Sequence, residues 1–164
     1  IMLTGQRVEE IARFHVNQWD ASERIIDWSK TKNLQPHAVP VPLLAAELIE
    51  KIKPNEYGWF FPSAKDPSKP VSHGTLYSFV WRQRDRGVIP YATNRDLRRT
   101  FKTLAGKAGV SKEIRDRLQN HALQDVSSKH YDRWHYMIEK RAGMAKWDKF
   151  VRAMLAKKRL KEAA

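Results

Sequence analysis

A chain of 164 residues with 41% hydrophobic and 10% aromatic residues is one domain with a core of its own, too apolar for a disordered tail. It has no cysteine, which excludes a disulfide frame, a thiolate nucleophile and a Cys-ligated zinc site and fits a reducing cytosol; no apolar run reaches the roughly 18 residues of a membrane span. Lys and Arg number 31 against 18 Asp and Glu, a formal charge of +13 that suits a polyanionic partner, and nucleic acid is the commonest one inside cells.

In chain order, Thr4–Phe14 reads as a helix capped by Thr4, with Leu3, Val8, Ile11 and Phe14 near helical spacing. Glu23–Trp28 and His37–Val41 read as a strand pair joined by the polar stretch Ser29–Pro36, and Pro40 and Pro42 confine the second to a short or edge strand. Leu43–Ile52 returns to helical spacing and stops before Pro54. Tyr57–Phe61 reads as a third strand and Pro62–Pro70 as a loop. Ser72–Arg86 predicts a helix capped by Ser72 and ended at Gly87, followed by the connector Val88–Thr93. Asp96–Ala108 and Ser111–Gln119 are two more helices separated by Gly109, and Gln124–His130 is a short helix or turn. From Tyr136 to about Lys161 the pattern predicts a long basic amphipathic helix interrupted by Gly143. The expected fold is mostly α with a small antiparallel β-sheet (α+β), as a single domain over 1–164.

The charge is concentrated. Residues 82–117 carry 11 basic and 4 acidic side chains, and residues 140–164 carry 9 and 2. A charge run is by default a solvated helix face. In the central block, however, Arg outnumbers Lys by eight to three, and the planar guanidinium grips phosphate bidentately. Arg82, Arg84, Arg86, Arg99 and Lys102 are therefore candidate DNA-binding residues.

Within this basic frame several polar positions stand apart. Arg7 and Glu10 share a helix face at i and i+3, so the carboxylate can hold the guanidinium. Lys32 lies between the two strand segments. Asn94-Arg95-Asp96-Leu97-Arg98-Arg99-Thr100 is an Arg-dense helix start, where end N–H groups also favour an anion. His121 follows Asn120, and Tyr131 lies ten residues further on.

Thr4-Gly5-x-Arg7-x-x-Glu10-Ile11, Thr31-Lys32-Asn33 eight residues before Pro40, Asp96-Leu97-Arg98-Arg99-Thr100, Asn120-His121 and His130-Tyr131-Asp132-Arg133 together resemble the catalytic-domain signatures of the tyrosine recombinases. The resemblance is nearest to integrases of prophages and genomic islands, and it runs in the family's order from residue 4 to about 147. It implies the recombinase catalytic-domain (DNA breaking–rejoining) fold and site-specific integration and recombination of double-stranded DNA through a 3′-phosphotyrosine. It implies no metal or cofactor, and as setting the cytoplasm of a bacterial host, on the nucleoid when bound to DNA. Tyr131 would be the nucleophile, Arg7 and Arg98 the phosphate clamps and Lys32 the general acid. His121 would donate to a non-bridging oxygen, and Glu10 would support Arg7 from behind.

The chemistry suits these residue types. A phenol can carry a phosphoryl group covalently, and guanidinium groups stabilise the charge of the transition state without a metal. An ammonium can protonate the departing 5′ oxygen.

Two departures stand out. Arg95 occupies the place where the family has a histidine, and a guanidinium cannot serve as a base; altered or slower chemistry is expected. The family's N-terminal DNA-binding region is also not in these residues, so the chain reads as a C-terminal fragment. Two alternatives stay open: a non-catalytic DNA-binding remnant, and a type IB-like DNA-relaxing enzyme. In the last helix Met137, Ile138, Met144, Trp147, Phe150, Val151, Met154 and Leu155 mostly keep helical spacing. They would either pack on the domain's own core or dock on another recombinase protomer on DNA, with Lys157–Ala164 frayed in both cases.

Overall fold

The structure, a computed structural model, describes residues 1–28, 37–121 and 136–162. The chain begins with a turn, closed by the Gly5 amide donating to the Ile1 carbonyl at 2.8 Å, and not with the helix expected from Thr4. Gly5 adopts φ +72°, and a Cβ there would lie 2.4 Å from Phe101 Cδ1. The close approach of the Phe101 ring thus demands a left-handed glycine, which ends any helix across it. The first helix, α1 (Val8–Ala12), starts only after Arg7, whose extended backbone caps it, while Thr4 is buried upstream.

A short 3₁₀ turn (Val16–Gln18) leads into β1 (Trp19–Asp20), β2 (Ile25–Trp28) and β3 (His37–Pro40). These form a three-stranded antiparallel sheet in that order, with Ile26 opposite Val39 and Trp28 opposite His37. β3 is an edge strand, in keeping with its terminal proline. Tyr57–Phe61, expected as the third strand, is not one. Asn55 Oδ1 accepts from the amides of Tyr57 and Trp59, and Gly58 takes φ +84°, so the segment curls and leaves one bridge, His15 to Trp59. The third strand is instead the two-residue β1, too short to show a period of two.

The helices follow their caps. In α2 (Leu43–Lys51) the Leu44 amide is capped from a distance by Asp148 Oδ1 at 2.7 Å. α3 (His73–Asp85) is capped by Ser72 and stops before Gly87. α4 (Asn94–Lys107) starts two residues earlier than expected, because Thr93 and Asp96 form a reciprocal capping box. α5 (Lys112–Leu118) is capped by Ser111. The last helix, α6 (Met137–Glu162), runs unbroken through Gly143. That glycine marks a crossing point: a Cβ on it would lie 3.1 Å from Val110 Cγ1 and 3.2 Å from Ile114 Cγ2, so its absence lets α6 pack close to α5. The expected turn at Gln124–His130 lies outside the described residues.

One core joins these elements. Phe14 stacks on Phe60 at 4.3 Å, and Phe101 meets Trp147 edge-on at 5.4 Å, with Ile26, Val39, Leu118, Met144 and Val151 around them. Trp147 Nε1 donates to the Leu3 carbonyl at 2.9 Å, so α6 also holds the N-terminal turn in place. Met144, Trp147 and Val151 therefore pack in cis, whereas Met154, Leu155 and Leu160 stay exposed. Among the described residues no helix is long and apolar enough to cross a membrane.

Candidate functional site

Arg7 leaves the N-terminal turn beside the start of α1. The Glu10 carboxylate, itself buried, accepts from the Arg7 amide at 2.8 Å and from its guanidinium at 3.1 Å, and Arg7 Nη2 donates to the Asn120 carbonyl at 3.3 Å. Arg98 projects from α4 into the same region. Its two terminal nitrogens donate to the carbonyls of Gly5 and Gln119, each at 2.5 Å. Arg7 is thus hung on the carbonyl of Asn120 after α5, and Arg98 of α4 on those of Gly5 in the N-terminal turn and Gln119 at the end of α5, so three segments far apart in sequence meet here.

A buried amide network holds these carbonyls in place. Gln119 Nε2 donates to Gly5 O and to Arg98 O at 3.4 and 3.1 Å. Gln6 Nε2 donates to Thr4 O and Leu118 O at 2.8 Å, and Gln6 Oε1 lies 3.1 Å from His37 Nε2. Burial pushes the Arg98 pKa down to about 10, with the positive charge of Arg7 adding to the effect and Glu10 opposing it. Arg98 remains a cation at neutral pH, held partly out of water where its charge acts strongly on an anion.

Arg7, Arg98, Arg95, Arg99, Lys102 and His121 all line one open cavity of ≈ 400 Å³, together with Tyr77, Asn94 and Gln119. Arg95 and Arg99 are exposed at its edge, and Arg99 also pairs with Asp96 at 3.4 Å. The Asp96 amide is taken by Thr93 Oγ1, so the guanidiniums, more than the free N–H groups of α4, make this an anion site. Arg82, Arg84 and Arg86 do not line this cavity. Arg82 and Arg86 are exposed near the C-terminal end of α3, and Arg84 lies over the Tyr91 ring at 4.4 Å beside a second hollow that shares Tyr77 and Asn94 with the first. Lys32 and Tyr131 lie outside the described residues.

His121 follows α5. Its Nδ1 is 3.1 Å from Asp116 Oδ1 and 3.2 Å from Lys102 Nζ, and Lys102 Nζ is 2.6 Å from the same carboxylate oxygen. Burial, and then the charges of Lys102 and Arg98, lower the His121 pKa against the opposing pull of Asp116, which favours the neutral ring. Among the described residues no group of three or more His, Cys, Asp or Glu side chains could hold a metal ion.

Sequence reasoning passed over Asp116, Gln6, Gln119, Asn94 and Tyr77. Gln6 is uncharged, and its role depends on carbonyls more than a hundred residues away. Asp116 lies five residues before His121, and that spacing alone does not place the two in contact. Asn94 is buried and its Nδ2 has no hydrogen-bond partner among the described residues, a signal that exists only in three dimensions.

Comparison with known proteins identifies a family and a fold. The family described as "Phage integrase family" matches residues 1–135. The prophage integrase IntA of Escherichia coli (strain K12) is 26% identical over 156 residues, covering 93% of this chain and 37% of that protein. Among solved structures, the integrase from mycobacterium phage Brujita superposes with a TM-score of 0.72 at 19% identity, over 90% of this chain and 48% of that one. XerA recombinase gives 0.62 at 17%, over 81% and 55%. A lambda integrase(75-356) dimer bound to a COC′ core site gives 0.59 at 20%, over 81% and 50%. At these identities the structural likeness shows the fold, and the chain spans about a third to a half of the proteins it matches.

Proposed function

Because the chain belongs to the phage integrase family of tyrosine recombinases, we propose that it cleaves and rejoins double-stranded DNA at specific sites through a 3′-phosphotyrosine. The observation that carries this reading is the seating of Arg7 and Arg98 on backbone carbonyls at one open basic cavity. In the proposed step the Tyr131 phenolic oxygen bonds to phosphorus, the bond to the 5′ oxygen breaks, and the Lys32 ammonium protonates that oxygen. Arg7 and Arg98 draw the charge of the non-bridging oxygens. Two of the five donors of Arg98 go to carbonyls, which fixes its plane and leaves the others for phosphate. Glu10 orients Arg7.

Arg99, Lys102 and the arginines of α3, Arg82, Arg84 and Arg86, extend the contact along the DNA backbone. They act through charge and make binding salt-sensitive. The exposed Met154, Leu155 and Leu160 of α6 give a second protomer on the same DNA a surface to dock on.

A nicked suicide duplex, which traps the covalent step, tests the reading. The wild-type chain forms an adduct with DNA and Tyr131→Phe forms none, while Arg98→Ala slows the adduct by about 10²–10³-fold, the usual effect of removing one transition-state donor. Salt-sensitive binding without any adduct would show a DNA-binding remnant. Relaxation of supercoils without exchange between two duplexes would show a DNA-relaxing enzyme.

A further inference from the structure

The second hollow, next to the basic cavity, is walled by rings where its neighbour is walled by guanidiniums. It measures ≈ 310 Å³, within the range of about 300–1,000 Å³ common for ligand pockets. Tyr77, Trp81 and Arg84 stand at i, i+4 and i+7 on one face of α3 and line it from that side, and Asn94 lines it from α4. The Tyr77 and Trp81 side chains are 43% and 53% exposed, a large aromatic surface left in water. Resting on the reading above that DNA enters the basic cavity, we propose that this hollow seats the base of one unpaired nucleotide, on the strand whose phosphate occupies that cavity.

The groups follow one another in the order a single strand needs. The basic cavity supplies guanidiniums for a phosphate, Tyr77 lines both hollows, Trp81 lies one turn further along α3, and the Arg84 guanidinium ends the row over the Tyr91 ring at 4.4 Å. Cations that track the backbone, with aromatic rings between them for the bases, are the make-up of a single-strand groove. A duplex covers the faces of its own bases, so only a nucleotide out of the stack can lay one against Trp81. At the join of the two hollows Asn94 is 3% exposed, and its Nδ2 has no acceptor among the described residues. Base carbonyls and ring nitrogens are acceptors of the kind it lacks.

Taking a base out of the stack costs free energy, least where it is mismatched or already unpaired. A strand that moves between two duplexes must part from one partner before it pairs with the other. A seat for the unpaired base beside the bound phosphate offsets part of that cost by stacking on a ring. Arg84 keeps its action through charge, since it bounds the hollow and does not fill it.

Binding measurements on the full chain, which need no cleavage, test the proposal. The probes are a short single-stranded oligonucleotide and a second one with the same number of phosphates but abasic sites in its centre. The wild-type chain should bind the strand with bases about five- to a hundredfold more tightly, the worth of one base stacked on an aromatic ring. Trp81→Ala should abolish that preference and Trp81→Phe should keep most of it, with the salt dependence the same in both. A duplex with a short unpaired bubble should bind more tightly than its fully paired counterpart in the wild type and not in Trp81→Ala. A 5-iodouracil base in the strand should crosslink to Tyr77 or Trp81 under ultraviolet light. Equal affinity for the two strands, a preference that survives Trp81→Ala, or crosslinks confined to other segments would overturn the base seat and leave adduct formation on the suicide duplex untouched. A base preference lost in Trp81→Ala, in a chain that forms no adduct, would support the seat and refute strand transfer alone.

Discussion

Replacing Gly5 by alanine tests the packing on which the anion site hangs. The new Cβ meets two costs. The residue is held at φ +72°, which costs an L-residue about 1–2 kcal/mol. The methyl also lands 2.4–2.9 Å from three ring atoms of Phe101, a side chain with no exposure and no room to retreat from Trp147. Overpacking of this kind costs about 1–3 kcal/mol. Together these predict a loss of about 2–5 kcal/mol, which for a domain of this size lowers the melting temperature by roughly 10 °C. Gly109→Ala is the control, since it has a similar φ of +85° but nothing within 4 Å of the new Cβ. It should lose only the conformational part, about 1–2 kcal/mol. Calorimetry of the two variants beside the wild type reads the difference directly. Equal melting temperatures for Gly5→Ala and Gly109→Ala would refute the claim that Phe101 presses on the Gly5 backbone. They would also refute the account of why α1 begins at Val8.

The pH dependence of stability should carry the mark of His37, which is buried beside Gln6 with its pKa pushed down to about 3 by burial and then by Lys140. The unfolded chain binds a proton near pH 6.5 that the folded one refuses, so stability is full above pH 6.5 and falls by about 1.4 kcal/mol per pH unit toward pH 3. Urea midpoints from pH 7.5 to 4 should show this slope flattened in His37→Gln. DNA affinity should fall with a log–log salt slope of up to about −4.5 if the five cations of the cavity each neutralise a phosphate, reduced by about 0.9 in Arg99→Ala and unchanged in Lys157→Ala. Removing residues 154–164 takes away only exposed side chains among those described and should shift the melting temperature by less than about 2 °C. Removing 145–164 strips Trp147 and Val151 from the core, where loss of the Trp alone costs about 3–5 kcal/mol, and circular dichroism should show the chain unfolded.

Features legible in the sequence were those that rest on neighbours in the chain. Ser72, Ser111 and the Asn94–Thr100 run mark helix starts because a cap acts over three residues, and Gly87 marks a stop for the same reason. The sheet pair was readable from residue types and prolines, and the family from the order of its motifs. The start of the first helix was misread because what keeps Gly5 out of it is a ring from residue 101. The third strand was misread because the curl at Tyr57–Phe61 is made by one asparagine side chain and a left-handed glycine.

Composition and local pattern determined that this is a basic, mostly helical domain with arginines suited to phosphate, because charge and helical periodicity are properties of the chain itself. Only the tertiary structure decided which cations act together. Lys140 counts toward the C-terminal basic block, yet it is buried and its ammonium donates to the Ala38 carbonyl at 3.0 Å. Arg7 and Arg98, 91 residues apart, meet because the carbonyls of Gly5, Gln119 and Asn120 are pointed at them. His121 faces Asp116 and Lys102 because the end of α5 returns against α4. A guanidinium or an imidazole takes its role from the atoms that hold it, and those atoms come from segments that only folding brings together.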